Sequence, residues 1–107
     1  MCKSGDMILI DVGAEYGNYS SDMTRTIPVS GKFSSRQKLV YQSVLNVKNE
    51  TEKLLINGNS IKDLNSNAGE IMTEELVKLG LLKIKDIKNQ NPTAPLYQKY
   101  FMHGISH

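Results

Sequence analysis

Residues Leu9–Pro28, LIDVGAEYGNYSSDMTRTIP, place two β-prone stretches on either side of Gly17-Asn18, and no other part of the chain restricts its folding as strongly. Met7–Val12, introduced by Ser4-Gly5-Asp6, is a compact apolar run rich in Ile and reads as a buried strand. Tyr19–Val29 reads as its partner, with Gly17-Asn18 as the tight turn between them and Pro28 and Gly31 closing it. A two-residue turn at this point pairs Tyr16 with Tyr19, Gly13 with Asp22 and Asp11 with Thr24.

Because side chains alternate along a strand, this register places Asp11, Gly13, Asp22, Thr24 and Thr26 on one face. Ile8, Ile10, Val12, Met23 and Ile27 take the other face, which is expected to pack against helices. Arg25 falls on that second face and reads as a structural or rim residue. The two aspartates become diagonal neighbours, with roughly 7–8 Å between their backbones. From there both carboxylates can converge on one ion or bridge two. Gly13 is expected to leave space beside them, and Thr24 and Thr26 to offer hydroxyls that orient them. The spacing alone would also suit two solvated strand acids. Asp11 follows Ile8-Leu9-Ile10, so it is expected at the end of a buried strand, where an uncompensated carboxylate is costly.

Past the hairpin the period changes. Ser34 with Gln37 forms a capping box, so a helix is expected to start there. Its apolar stripe is Val40, Tyr41, Val44, Val47, Thr51, Leu54 and Leu55, and Asn57-Gly58-Asn59 is expected to end it. Ser60 with Asp63 opens a second helix with the stripe Ile61, Leu64, Ala68, Ile71, Met72, Leu76 and Leu79, capped by Gly80. Lys83–Pro95 reads as a polar loop, and residues from about Tyr97 suit either helix or strand. The order strand, strand, helix, helix, loop is α+β: a β-hairpin followed by two amphipathic helices. No dinucleotide or P-loop signature is present.

The chain runs to 107 residues, which is one domain or part of one. With 39% apolar and 22% charged residues it has the balance of a soluble globular protein. A net charge of +2, with lysines scattered from Lys32 to Lys99, offers no basic block for nucleic acid. The longest apolar run, Met7–Ile10, is far too short to span a membrane, and no signal-peptide pattern opens the chain. One cysteine, Cys2, excludes an intrachain disulfide and suits a reducing compartment. The cytoplasm is the expected location.

The chain closes on FMHGISH, with His103 and His107 four residues apart. A helix would put both imidazoles on one face, although surface histidines at a frayed terminus would look the same. With Asp11 and Asp22, His107 supplies the beginning of a hydrolytic metal centre, which points to an enzyme fragment.

Three strings carry a resemblance: Leu9–Ser34 (LIDVGAEYGNYSSDMTRTIPVSGKFS), Glu75–Leu82 (ELVKLGLL) and Phe101–His107 (FMHGISH). Together they resemble the catalytic domain of aminopeptidase P, the Xaa-Pro aminopeptidase of the pita-bread metallopeptidases. Ser106, before the last histidine, looks more like that subfamily than like prolidase or methionine aminopeptidase. The resemblance implies that residues 1–107 are an N-terminal, incomplete portion of a metallopeptidase catalytic domain. It implies that Asp11 binds one metal, that Asp22 bridges both, that His107 binds the second, and that His103 lies on the substrate side as a catalytic residue.

The implied cofactors are two divalent ions, usually manganese (Mn2+), and the implied substrates are peptides with proline in second position. The implied reaction is hydrolysis of the first peptide bond by water activated between the ions. Carboxylate-rich sites with one imidazole suit hard ions such as manganese. The family's two glutamate ligands, its further histidine downstream and its histidine upstream of the first aspartate fall outside residues 1–107. The chain alone is therefore expected to be inactive and marginally stable. Asn57-Gly58 stands where the family more often has Pro-Gly, a change without consequence for the chemistry. A catalytically dead scaffold used for protein binding and a prolidase remain alternatives, and the oligomeric state stays open, a homo-oligomer included.

Overall fold

A computed structural model describes residues 1–105, which form two compact units, one of Met1–Lys38 and one that begins at Leu39. The first is built on antiparallel pairing of β1 (Met7–Val12) with β4 (Met23–Pro28), and of β2 (Glu15–Tyr16) with β3 (Tyr19–Ser20). Both ladders share one register, from Met7↔Pro28 through Asp11↔Thr24 and Val12↔Met23 to Tyr16↔Tyr19. It is the register that a turn at Gly17-Asn18 requires. Both turn residues have positive φ, 59° and 69°, as in a type I′ turn, whose twist matches that of the strands it joins. A further bond, from the Val29 amide to the Asp6 carbonyl (2.9 Å), extends the pairing by one step.

Two expectations for this unit need correction. The stretch Tyr19–Val29 is not one strand, because Ser21 and Asp22 interrupt it. There the Ser21 amide donates to the Ala14 carbonyl (2.8 Å), and the Ser21 hydroxyl accepts from the Ala14 amide (3.0 Å). A hydroxyl thus stands in for a ladder carbonyl. Nor is β1 buried: Met7 and Ile8 are half-buried, while Leu9–Val12 are exposed. Among the described residues β1 and β4 form a two-stranded sheet, so each is an edge strand. The apolar face remains open, with Val12 48% and Met23 50% exposed.

Helix α1 (Ser35–Glu52) starts at the expected capping box. The Ser34 amide donates to Gln37 Oε1 (2.8 Å), and the Gln37 amide to Ser34 Oγ (3.3 Å). The Gln37 side-chain amide also donates to the Gly5 carbonyl (2.9 Å), tying the helix start to the loop before β1.

In the second unit, α1 buries Ser43, Val47 and Thr51, a line of i, i+4 steps. The expected stripe is therefore rotated: Val40, Tyr41 and Val44 are exposed. The helix also ends at Glu52, before Leu54 and Leu55, because the amides of those two leucines bond back to Thr51 and Glu52 in short turns. The side chain of Asn59 then donates to the Leu54 carbonyl (2.8 Å) and closes the loop.

Helix α2 (Ile61–Lys78) matches its sequence pattern closely. Ser60 and Asp63 cap it reciprocally, and the Ser60 hydroxyl bond holds the Asp63 carboxyl below its ordinary pKa. Gly80, with φ of 74°, ends it: the Gly80 amide bonds to the Val77 carbonyl and the Leu81 amide to the Leu76 carbonyl, the Schellman pattern. Its buried face carries Leu64, Ala68, Gly69, Met72 and Leu76. Met72 and Leu76 meet Val47 of α1, with Ile71, Leu81, Leu82, Tyr97 and Phe101 packed around them.

Glu75 is also buried, at the seam of the two helices. Its Oε1 accepts from Lys78 Nζ (2.7 Å) and from Asn46 Nδ2 (2.8 Å). The Lys78 bond, helped by Ser43 and Asn46, holds its carboxyl below the ordinary range against the opposing effect of burial.

The region expected as a loop contains a short helix, α3 (Ile84–Lys88). Pro95 then leads into a 3-10 turn, Leu96–Lys99, which settles the helix-or-strand ambiguity at Tyr97. Among the described residues no helix is long and apolar enough to cross a membrane.

Candidate metal centre

Asp11 is the penultimate residue of β1, and its register partner is Thr24 at the start of β4. The Thr24 hydroxyl donates to Asp11 Oδ1 (3.0 Å), the orienting contact expected of it. Asp22 lies one residue before β4 and two before Thr24, the register partner of Asp11. The guanidinium of Arg25 turns away from a ligand role and donates to the Thr24 carbonyl (2.7 Å).

Asp11 does not stand at the end of a buried strand. Asp11 and Asp22 are both exposed, so no desolvation penalty compels a cation there. The Asp11 carboxylate is held in orientation by the neighbouring Thr24 hydroxyl.

Gly13 is needed for a reason other than room beside the carboxylates. A Cβ at this position would lie 2.5 Å from the Ser21 carbonyl oxygen, so a side chain would push the two backbones apart. Ser21, which sequence reasoning passed over, holds the same two backbones together through its three bonds with Ala14. A serine directly before an aspartate, opposite Gly-Ala, was the available signal.

In the other unit, His103 is exposed in the segment after the 3-10 turn. The segment is held at two points. The Tyr97 ring lies where a Cβ of Gly69 would be, and the Ile105 amide donates to Asn65 Oδ1 (2.8 Å). His107 lies outside the described residues. The structure therefore brings Asp11 and Thr24 together by a side-chain bond. Among the described residues no three His, Cys, Asp or Glu side chains cluster as a complete metal site.

Comparison with known proteins is consistent over the whole length. Residues 1–107 match metallopeptidase family M24. The Xaa-Pro aminopeptidase of Haemophilus influenzae is 42% identical over 107 residues, covering 98% of this chain and 24% of that protein. A zinc-substituted aminopeptidase P of Escherichia coli in complex with product superimposes with a TM-score of 0.83 at 40% identity, over 98% of this chain and 23% of that one. Two variants of the same enzyme, each with one aspartate replaced by alanine, give the same TM-score at 39% identity and the same coverage. The two replaced aspartates are eleven positions apart. The chain thus spans about a quarter of the length of the relatives it matches.

Proposed function

The chain belongs to metallopeptidase family M24, and from that membership we propose that the protein it forms part of is a dimetal Xaa-Pro aminopeptidase. Such an enzyme removes the N-terminal residue from peptides with proline in second position. On this reading residues 1–107 are a portion of the catalytic domain. The observation that supports it is the pairing of Asp11 with Thr24, two residues after Asp22, with the Thr24 hydroxyl on Asp11 Oδ1. Their separation of eleven positions equals that of the two aspartates replaced in the E. coli variants, which supports the same pair in the same role.

Asp11 would hold one divalent ion, Asp22 would lie between two, and His107 would ligate the second, with His103 towards the substrate. When bound, the ions supply Lewis-acid polarisation of the scissile carbonyl and lower the pKa of water. The contribution of this chain is positional. Thr24 fixes the Asp11 carboxylate in one orientation, so its oxygen meets a cation without a search over rotamers. Ser21 and Gly13 keep the two strands together. An oxygen-rich donor set suits a hard cation, and manganese is our assignment, while the zinc-substituted relative supports tolerance of zinc. The lone cysteine is in keeping with a reducing, cytoplasmic setting.

The test is release of the N-terminal residue from a Xaa-Pro tripeptide by the whole protein and by its Asp11→Ala and Asp22→Ala variants. Loss of several kcal/mol of charge stabilisation corresponds to a fall of about a thousandfold in each variant. Unchanged activity in both would leave a scaffold role as the better account. Faster turnover of the Xaa-Pro dipeptide than of the tripeptide would make the protein a prolidase.

A further inference from the structure

We propose that Asn57 is a site of covalent modification: the Gly58 backbone nitrogen displaces its side-chain amide as ammonia, and the succinimide so formed opens to isoaspartate, which loosens the turn between α1 and α2. No metal ion or peptide substrate enters this step, so it is independent of the metallopeptidase reading. Asn57-Gly58 is the one Asn-Gly step in the chain, and both residues are exposed. They form the centre of a turn closed by the Asn59 amide on the Ile56 carbonyl (3.2 Å). Gly58 has φ of 103°, while φ at Asn57 is not positive, the pattern of a type II turn.

Such a turn uses its outer residues for the closing bond and leaves its central amide unused. Among the described residues neither the Gly58 amide nor the Asn57 side chain has a hydrogen-bond partner. The surroundings are open as well, since a Cβ at Gly58 would meet nothing within 4 Å. Glycine has no side chain of its own to screen its nitrogen from the neighbouring Cγ. Other asparagines lack this combination. Asn59 donates its side-chain amide to the Leu54 carbonyl (2.8 Å), and the Ser60 amide that follows it bonds to Asp63 Oδ2. The Gln90 amide, after Asn89, bonds to the Ile87 carbonyl (3.3 Å), and Asn91 precedes Pro92, which has no N–H.

The step balances with water and hydroxide alone. The Gly58 N–H gives its proton to hydroxide, and its nitrogen forms a bond to Asn57 Cγ. The Cγ–Nδ2 bond breaks, and Nδ2 takes a proton from water and leaves as ammonia. Water then opens the ring, at Cγ to give aspartate or at the main-chain carbonyl carbon to give isoaspartate. Either product adds a negative charge. In isoaspartate the main chain runs through Cβ and Cγ and is longer by a methylene, so the Asn59 amide no longer meets the Ile56 carbonyl as before.

The experiment incubates the whole folded protein at neutral and at mildly alkaline pH and then digests it with trypsin, which releases the peptide Leu54–Lys62. Fragment masses of that peptide locate the change. We expect aspartate and isoaspartate at Asn57, formed faster in proportion to hydroxide, with Asn59 and Asn89 intact. Asn57→Pro suits the second position of a type II turn and should block the change. Asn57→Gln, whose longer side chain closes a ring less readily, serves if the proline variant does not fold. In the isoaspartate form, separated by ion exchange on its added charge, hydrogen exchange at the Asn59 amide should be faster and that at Val47 and Leu76 unchanged. Asn57 intact in the folded protein while the urea-unfolded protein is modified would overturn the proposal, as would modification of Asn59 in its place. Unchanged Asn59 exchange in the isolated isoaspartate form would overturn the loosening of the turn.

Discussion

In the hairpin, shape comes from the backbone: a turn with two positive φ angles and one register running from Met7↔Pro28 to Tyr16↔Tyr19. Leu9, Ile10, Val12, Met23 and Ile27 all stay exposed there. In the helical unit, shape comes from burial: Val47, Leu64, Ala68, Met72 and Leu76 are all nearly inaccessible, and Tyr97 and Phe101 close over them. The candidate carboxylates belong to the first kind of structure and His103 to the second. Carboxylates that must hold a fixed separation gain from an element whose geometry is set by ladder bonds, because ladder spacing does not depend on which apolar neighbours are present.

The contrast breaks most readily at the core. In the 107-residue chain, Leu76→Ala should cost about 3 kcal/mol, while Val12→Ala, already half exposed, should cost less than about 1 kcal/mol, both read by urea denaturation. Equal losses would mean that the hairpin is buried in solution. Next in size is Gly69→Ala, whose methyl would overlap the Tyr97 ring. It should cost about 1–3 kcal/mol by overpacking, and Tyr97→Ala in the same chain should relieve that increment.

In the hairpin, Gly17→Ala forces a Cβ onto a residue with φ of 59° and should cost about 1 kcal/mol, seen as faster amide exchange across β2 and β3 but not in α2.

The smallest effect belongs to Glu75. Its carboxyl is held below the ordinary glutamate value of 4.5, first by the Lys78 bond, so its contribution to stability is complete above about that pH. The contribution should fade as pH drops through the lowered folded value. Glu75→Gln should flatten that acid limb while leaving the stability of the hairpin unchanged.

What could be read in the sequence divides along the same line. Gly17-Asn18, Ser34 with Gln37, Ser60 with Asp63, and Gly80 each act through contacts within a few residues, and the structure has each of them as expected. The pairing of Asp11 with Thr24 followed from the turn alone. Choices that depend on distant partners did not follow. The buried line of α1 runs through Ser43 and Thr51 instead of Val40 and Val44, because α2 presents Glu75 to it and Ser43 and Asn46 answer that carboxylate. Ser21 and Asn65 escaped notice for a related reason: each serves a backbone amide across the fold, and single polar residues carry no periodic signature.

The central claim, that Asp11 and Asp22 jointly hold divalent ions, is tested most directly by Mn2+ bound per molecule. Equilibrium dialysis of the whole protein should give about two ions in the wild type and a clear loss in both Asp11→Ala and Asp22→Ala, with folding intact. Wild-type Mn2+ content in both variants would contradict it, and the hairpin would then be a surface element with two solvated acids.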